Sequence, residues 1–275
     1  MKKQISLFLV MSFAAVLSIF GQNRELRIFN NDEVVGVYSV GDVDSMKVAQ
    51  PAELQIYDDD VIVGAYAAVN MDSMKVTRFP EHEYVDLGLP SGTLWATMNI
   101  GANAPEEYGD YFAWAETKTK DGFGWGVYKY SYGSEKTLKK YVDRSGFGDV
   151  IDYKMELDLL DDAAYVCWGM DWCMPSKEQF VELINSEYTT TEWTTVNGVN
   201  GRKITSKTNG KSIFLPAAGF DGGSYSTTNA YYWSRSLTTS YHSRAYNLYF
   251  DSVNTYSDRD GGREGGRSVR PVRVQ

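Results

Sequence analysis

Histidine and cysteine are nearly missing from this chain of 275 residues, with two of each. His82 and His242 lie 160 positions apart, so neither a His-rich metal site nor an HExxH zinc motif can be assembled locally. Two cysteines cannot staple a small disulfide scaffold. Positive charge is also short: Lys and Arg number 27 against 36 Asp and Glu, for a net charge of −9. That balance excludes the broad basic face of a nucleic-acid protein. After Phe20 no apolar run is long enough to span a bilayer, so the mature chain is expected to have no transmembrane segment. The Gly-x-Ser-x-Gly nucleophile elbow is absent. Asn209-Gly210-Lys211-Ser212 ends like a P-loop, but Thr205 stands where the first glycine belongs. Gly122-Phe123-Gly124-Trp125-Gly126 lacks the spacing and the strand–helix setting of a dinucleotide fingerprint. No pattern in the chain asks for a cofactor or a metal.

What the chain does have is 43% hydrophobic residues, 20 Tyr and 25 Gly. This composition supports an ordered core built from strands and tight turns. The first residues, Met1-Lys2-Lys3, are basic. Ile5 to Phe20 is apolar apart from three serines, and Gly21-Gln22-Asn23 turns polar. This is the three-part pattern of a secretory signal over residues 1–22, cleaved near Gly21. It predicts export, with the mature protein secreted or held in the cell envelope, in the periplasm or at the outer surface. Loss of Lys2 and Lys3 would take the charge from −9 to −11.

Residues 23–79 contain an internal repeat. Leu26–Val48 and Leu54–Val76 align at an offset of 28 residues with 11 of 23 positions identical. Each unit reads as an apolar-alternating strand, an Asn/Asp turn and a second strand, and each closes on Asp-Ser-Met-Lys-Val. That is hairpin chemistry, and two such hairpins can pair into a small sheet or dock on the domain C-terminal to them. Asp58-Asp59-Asp60 has no liganding loop of adequate length for calcium and reads as a solvated turn. A linker around Pro80 leads into a third region, 80–275, dense in Gly and aromatics. Two helices are expected there, at 161–168 and after Pro175, where Ser176 and Gln179 have capping-box spacing. Strands are expected at 192–196, 202–205, 212–215, 230–234, 245–250, 253–257 and 268–274, with strong turn signals at Asn197-Gly198 and Asn209-Gly210. The fold class is therefore α+β, with a mostly antiparallel arrangement of short strands.

The strings EYVDLGLPSGTLWATMNIGA (83–102), EEYGDYFAWAET (106–117), DDAAYVCWGMDWCMPSKEQFVELI (161–184), GKSIFLPAAG (210–219), YYWSRS (231–236), AYNLYF (245–250) and GRSVRPVR (266–273) occur in that order. Together they resemble the Fibrobacter succinogenes major paralogous (FISUMP) domain family, found in secreted Bacteroidetes proteins, over about 70% of the chain. The resemblance implies a C-type-lectin-like fold with paired terminal strands, two helices and a loop-rich second half that displays side chains. It brings no catalytic residues. The calcium-lectin Glu-Pro-Asn and Trp-Asn-Asp motifs are absent, and no Cys follows position 173 to supply the copper site of the related formylglycine-generating enzymes.

Cys167 and Cys173 flank a Trp-rich stretch, and three fates are open for them, a disulfide, buried thiols or, least favoured, a reactive pair. Trp95, Trp114, Trp168, Trp172 and Trp233 are expected in the core, with Tyr246-Leu248-Phe250 as a core face and Asn247 and Tyr249 outward. Arg267, Arg270 and Arg273 are expected to form ion pairs with the acidic surface. Asp258, Asp260 and Glu264 read as a solvated Gly-rich loop. The polar, Tyr- and Arg-bearing segments 221–225, 235–244 and 251–264 suit a recognition surface, since Tyr and Arg offer large contact area with few flexible bonds. Its candidate ligand-binding residues are Tyr225, Arg235, Tyr241, His242, Arg244, Asn254, Tyr256, Asp258, Arg259 and Arg263. The expected function is a non-enzymatic ligand-binding or adhesion protein that shows its C-terminal loops to a protein or glycan. The alternatives are a structural cell-envelope module without a specific ligand and a carbohydrate-active enzyme.

Overall fold

A computed structural model describes residues 24–43, 45–49, 53–58, 61–67, 71, 73–220 and 227–273. The leader expected at 1–22, Asp59 and Asp60 of the acidic turn, and Tyr225 lie outside the described residues. The chain divides into two compact units, 1–81 and 82–275.

The first unit is made of the two repeats. β1 (Arg24–Asn30) and β2 (Glu33–Ser39) form a hairpin whose turn residues Asn31 and Asp32 both have positive φ, as a type I′ turn requires. In the second repeat, β4 (Glu53–Asp58) and β5 (Val61–Ala67) form the same hairpin 28 residues later, down to a matching register shift after Ile28 and after Ile56. The closing Ser-Met-Lys-Val segments are strands in their own right, β3 (Ser45–Ala49) and β6 (Ser73–Arg78), and each leaves its own repeat. β3 pairs with β4 of the second repeat, and β6 returns to pair with β1 of the first. The result is two three-stranded sheets, β2-β1-β6 and β3-β4-β5. Leu26, Ile28, Leu54 and Ile56 form the buried centre of the unit.

In the second unit, the described strands pair almost entirely antiparallel, and two short helices accompany them. β7 (Tyr84–Asp86), β8 (Leu94–Ala96), β16 (Val272–Arg273) and β9 (Trp172–Cys173) form one sheet, which ties the start of the unit to its end. α1 (Ala163–Trp168) starts at Asp162, whose carboxylate accepts from the backbone N–H of Ala164 and Tyr165. α2 (Lys177–Leu183) carries the expected capping box: Ser176 accepts from the Gln179 N–H, and the Gln179 side chain accepts from the Ser176 N–H. β10 (Thr189–Val196) and β11 (Val199–Ser206) turn at Asn197-Gly198, both at positive φ, and β12 (Ser212–Pro216) adds to β11.

The third sheet, β13 (Asn229–Leu237), β14 (Arg244–Asp251) and β15 (Thr255–Gly262), divides the interior. Trp233, Leu237 and Ala245 join one core with Trp114, Trp168 and Trp172. Ala230, Tyr232, Leu248 and Phe250 join another with Trp95, Phe180 and Leu215. All five tryptophans expected inside are buried. Leu248 and Phe250 are buried as the alternation predicts, but Tyr246 is half-buried beside the Lys177 ammonium at 4.1 Å. Asn247 is corrected from outward to fully buried. Register shifts on both sides of β14 break the strict alternation around Asn247 and Leu248.

The last strand is shorter than expected. Of 268–274, only Val272–Arg273 is described as strand. Arg270 is fully buried rather than ion-paired. Its guanidinium donates to the carbonyls of Ala96, Thr97 and Phe214 and to Asn99 Oδ1. Arg267 is also drawn inward, 4.1 Å over the Trp233 ring. Arg273 does meet a carboxylate, Asp171, at 3.5 Å. Main-chain carbonyls and rings take the place of surface acids for Arg270 and Arg267 because the chain end threads between the two cores.

No disulfide joins Cys167 and Cys173, so the possible bridge is corrected. They serve different cores: Cys167 packs against the Trp114 side and Cys173 lies in the Trp95 side.

Candidate functional site

The most distinctive surface lies on one face of the β13–β14–β15 sheet. Register places Tyr231 opposite Tyr249, and Tyr249 opposite Tyr256, so three tyrosines form a row across all three strands. Tyr231 and Tyr249 have ring centroids 4.9 Å apart, and Tyr249 stacks on Tyr256 at 6.2 Å with 18° between planes. Phe220 extends the row, edge-on to Tyr231 at 5.3 Å. The Arg259 guanidinium caps the far end, 4.5 Å over Tyr256. Arg267 sits behind the row, 5.0 Å over Tyr231. Cross-strand aromatic pairs of this kind hold each other's rings in place.

The turn after β14 fixes the row. Asp251 accepts from the backbone N–H of Val253 and Asn254, each at 2.7 Å, and from Tyr249 Oη at 2.9 Å. These bonds pull the Asp251 carboxyl down to about 2, while burial, joined by the same contact, pushes Tyr249 up to about 12. Arg202 of β11 donates to the carbonyls of Asp251 and Asn254, anchoring the turn to the neighbouring sheet. The rings are therefore held in a fixed orientation by the turn and by one another.

The nine candidate residues among the described residues fall into separate places. Asn254, Tyr256, Asp258 and Arg259 lie at the row or beside it, and their side chains are exposed. Tyr241 and Arg244 lie at the opposite end of the same strands. Tyr241 is 58% exposed, and Arg244 pairs with Asp260 at 3.2 Å. Arg235 faces another cleft of about 450 Å³, shared with Ser91, Thr93, Cys173 and Gln179, and it pairs with Glu156 at 2.9 Å. Burial pushes the Cys173 thiol in that cleft up to about 11, which disfavours the thiolate.

Two candidates are corrected. His242 is buried, with Nε2 3.0 Å from Asp143, and burial lowers its pKa. Arg263 is buried among Trp114, Tyr128 and Tyr141 and donates to three carbonyls and the Tyr128 phenol. The polar sequence around both residues predicts exposed loops, whereas His242 and Ser243, at the end of the turn after β13, and the segment after β15 fold inward. Asp258 and Asp260 belong to strand β15 rather than a loop, and among the described residues no three acidic, His or Cys groups converge as a metal site.

Sequence reasoning does not single out Tyr231, Phe220 or Asp251, and it gives Tyr249 only as outward-facing. The available signal is the alternation on β14, which sets Tyr249 and Asp251 two residues apart, together with the YYW string at 231–233 on β13. Strand register is what aligns them. No family model, no curated protein and no solved structure matches this chain.

Proposed function

We propose that this chain is an exported, non-enzymatic ligand-binding or adhesion protein, secreted or held in the cell envelope, that meets a protein or glycan with the tyrosine row. The second unit would be a C-type-lectin-like domain of the FISUMP kind. Its first and last strands sharing one sheet, its two short helices and its strand-rich second half support that reading. The signal-like leader supports export.

One observation carries the proposal: Tyr231, Tyr249 and Tyr256 form a half-exposed row of adjoining rings, Tyr249 stacked on Tyr256, capped by Arg259 and held at Tyr249 by Asp251. Tyr and Arg in a rigid, oriented patch are the residue types that dominate recognition energies. The test is to screen the mature chain on glycan and protein arrays, then compare Tyr249→Ala, Tyr256→Ala and Arg259→Ala with the unchanged protein. Loss of the hit in all three supports the row as the site. Retained binding in all three removes it.

A further inference from the structure

The two repeats of the first unit are related by more than sequence. Tyr38 and Tyr66, equivalent residues 28 positions apart, share a hydroxyl–hydroxyl hydrogen bond of 2.5 Å. Each phenol lies over the other repeat's glycine: a Cβ on Gly36 would collide with Tyr66 Oη, and one on Gly64 would collide with Tyr38 Oη. Strand pairing follows the same rule. Leu26 pairs with Val76 and Ile28 with Met74 across β1–β6, while Leu54 pairs with Val48 and Ile56 with Met46 across β4–β3. The unit is a pseudo-twofold pair of repeats, each completed by the closing strand of the other.

The two equivalent seams differ in how the chain reaches them. β3 and β4 are consecutive, with three residues between Ala49 and Glu53. β6 must return to β1 past four intervening strands, with 42 residues between Asn30 and Ser73. The same register of residue types thus forms once through a tight connection and once without one, so it does not depend on the covalent route. β6 is also an edge strand, with Met74 39% exposed and Lys75 exposed. Nothing in the pairing itself distinguishes the β6 of this chain from the β6 of another.

We infer that the β1–β6 seam is a self-association surface, and that the partner it fits is a second copy of this chain, which lends its β6 to β1 and receives the other's β6 in return. Reciprocal exchange closes a twofold dimer and preserves the strand pairing of the single chain. Within one chain the strand is present at an effective concentration of order mM, so exchange grows as the protein concentration approaches that value.

Phe29 and Ser73 lie opposite each other across the seam. The test uses two full-length variants, Phe29→Cys and Ser73→Cys, held under mild oxidation at about 0.1–1 mM, the range set by the effective concentration. Each variant alone should give no covalent dimer through the engineered position, because in an exchanged homodimer its engineered thiol faces the unchanged residue across the seam. Mixed, they should give a covalent heterodimer whose bridge maps by mass spectrometry to the peptides carrying positions 29 and 73. The heterodimer-to-monomer ratio should rise in proportion to the free monomer concentration, as mass action requires. Absence of heterodimer at the top concentration overturns the inference, provided the double variant bridges its own seam and so shows that the site accepts a disulfide. If the double variant fails to bridge, strand exchange is read instead from mixed light and heavy isotope-labelled unmodified chains, and an absence of mixed dimers overturns it. Covalent homodimers of either single variant, bridged through the engineered thiols and as abundant as the heterodimer, also overturn it, since random thiol collision would then explain the bridges.

Discussion

Arg263 donates from Nε to Tyr128 Oη at 3.0 Å, and both side chains are buried. Burial pushes the phenol up to about 12, against the pull of the neighbouring guanidinium. Nη1 and Nη2 complete the set with the carbonyls of His242, Tyr141 and Lys140. Removing the guanidinium leaves four acceptors without this donor, so Arg263→Leu is expected to cost about 3 kcal/mol or more of folding stability. Urea unfolding followed by Trp fluorescence measures this. Ligand binding per folded molecule should be unchanged, which separates Arg263 from the recognition surface.

The tyrosine row makes an opposite prediction. Tyr249→Ala and Tyr256→Ala should each weaken binding by about 2 kcal/mol, roughly 30-fold, as expected for central aromatic anchors. Arg244→Ala and Tyr241→Ala, at the other end of the strands, should shift the dissociation constant less than about twofold. Titration calorimetry with the array-identified ligand distinguishes the two groups. Equal losses at both ends would move the site off the row.

Asp162 gives a pH signature. Burial raises its carboxyl from 3.8 to about 6, outweighing the N–H bonds it accepts from Met174, Tyr165 and Ala164. The folded state therefore holds a proton between about pH 4 and 6 that the unfolded state has lost. Stability falls as pH rises through that window, by up to about 3 kcal/mol at 1.36 kcal/mol per unit. Asp162→Asn should flatten that segment of the stability curve relative to the unchanged chain. Chemical denaturation at pH 4, 5, 6 and 7 shows it, and an unaltered difference between pH 4 and 7 would refute the assignment.

Gly261 is required by Arg267. A Cβ at that position would collide with Arg267 Nη2 and Cζ, so the guanidinium would have to leave its place over Trp233. Gly261→Ala should destabilise by about 1–3 kcal/mol. Gly265→Ala, whose nearest atom is the Gly262 carbonyl oxygen at 3.4 Å, should stay within about 0.5 kcal/mol. Paired thermal melts compare them.

Cys167 and Cys173 should each take one alkyl group when the protein is unfolded in iodoacetamide without reductant. A mass lacking both additions would mean that a bridge forms after all.

Much of the local structure was legible in the sequence. The capping box at Ser176 and Gln179, the Asn197-Gly198 hairpin, a helix ending at Trp168 (expected from 161, found from 163) and the repeat at 28 residues all depend on neighbours in the chain, and short-range patterns report them. The site was only partly legible. Tyr256 and Arg259 stood out by type, but their alignment with Tyr249 and Tyr231 is a matter of register between strands. His242 and Arg263 have the composition of recognition residues and the burial of core residues. Carbonyls, a phenol and ring faces satisfy Arg263, and a carboxylate meets His242, where no sequence pattern can show it.

The amino-acid sequence alone determined which segments become helices and most of the strands, where the hairpins turn, and that two copies of one 28-residue unit stand in tandem. Hydrophobic alternation and turn chemistry act over a few residues, so they are written in order along the chain. Only the tertiary structure decided that β6 returns to β1, that three tyrosines from three strands share one face, and that Arg263, Arg267 and Arg270 lie inside. Those outcomes depend on which distant groups compete for the same buried donors and acceptors, and that competition is settled when the sheets pack.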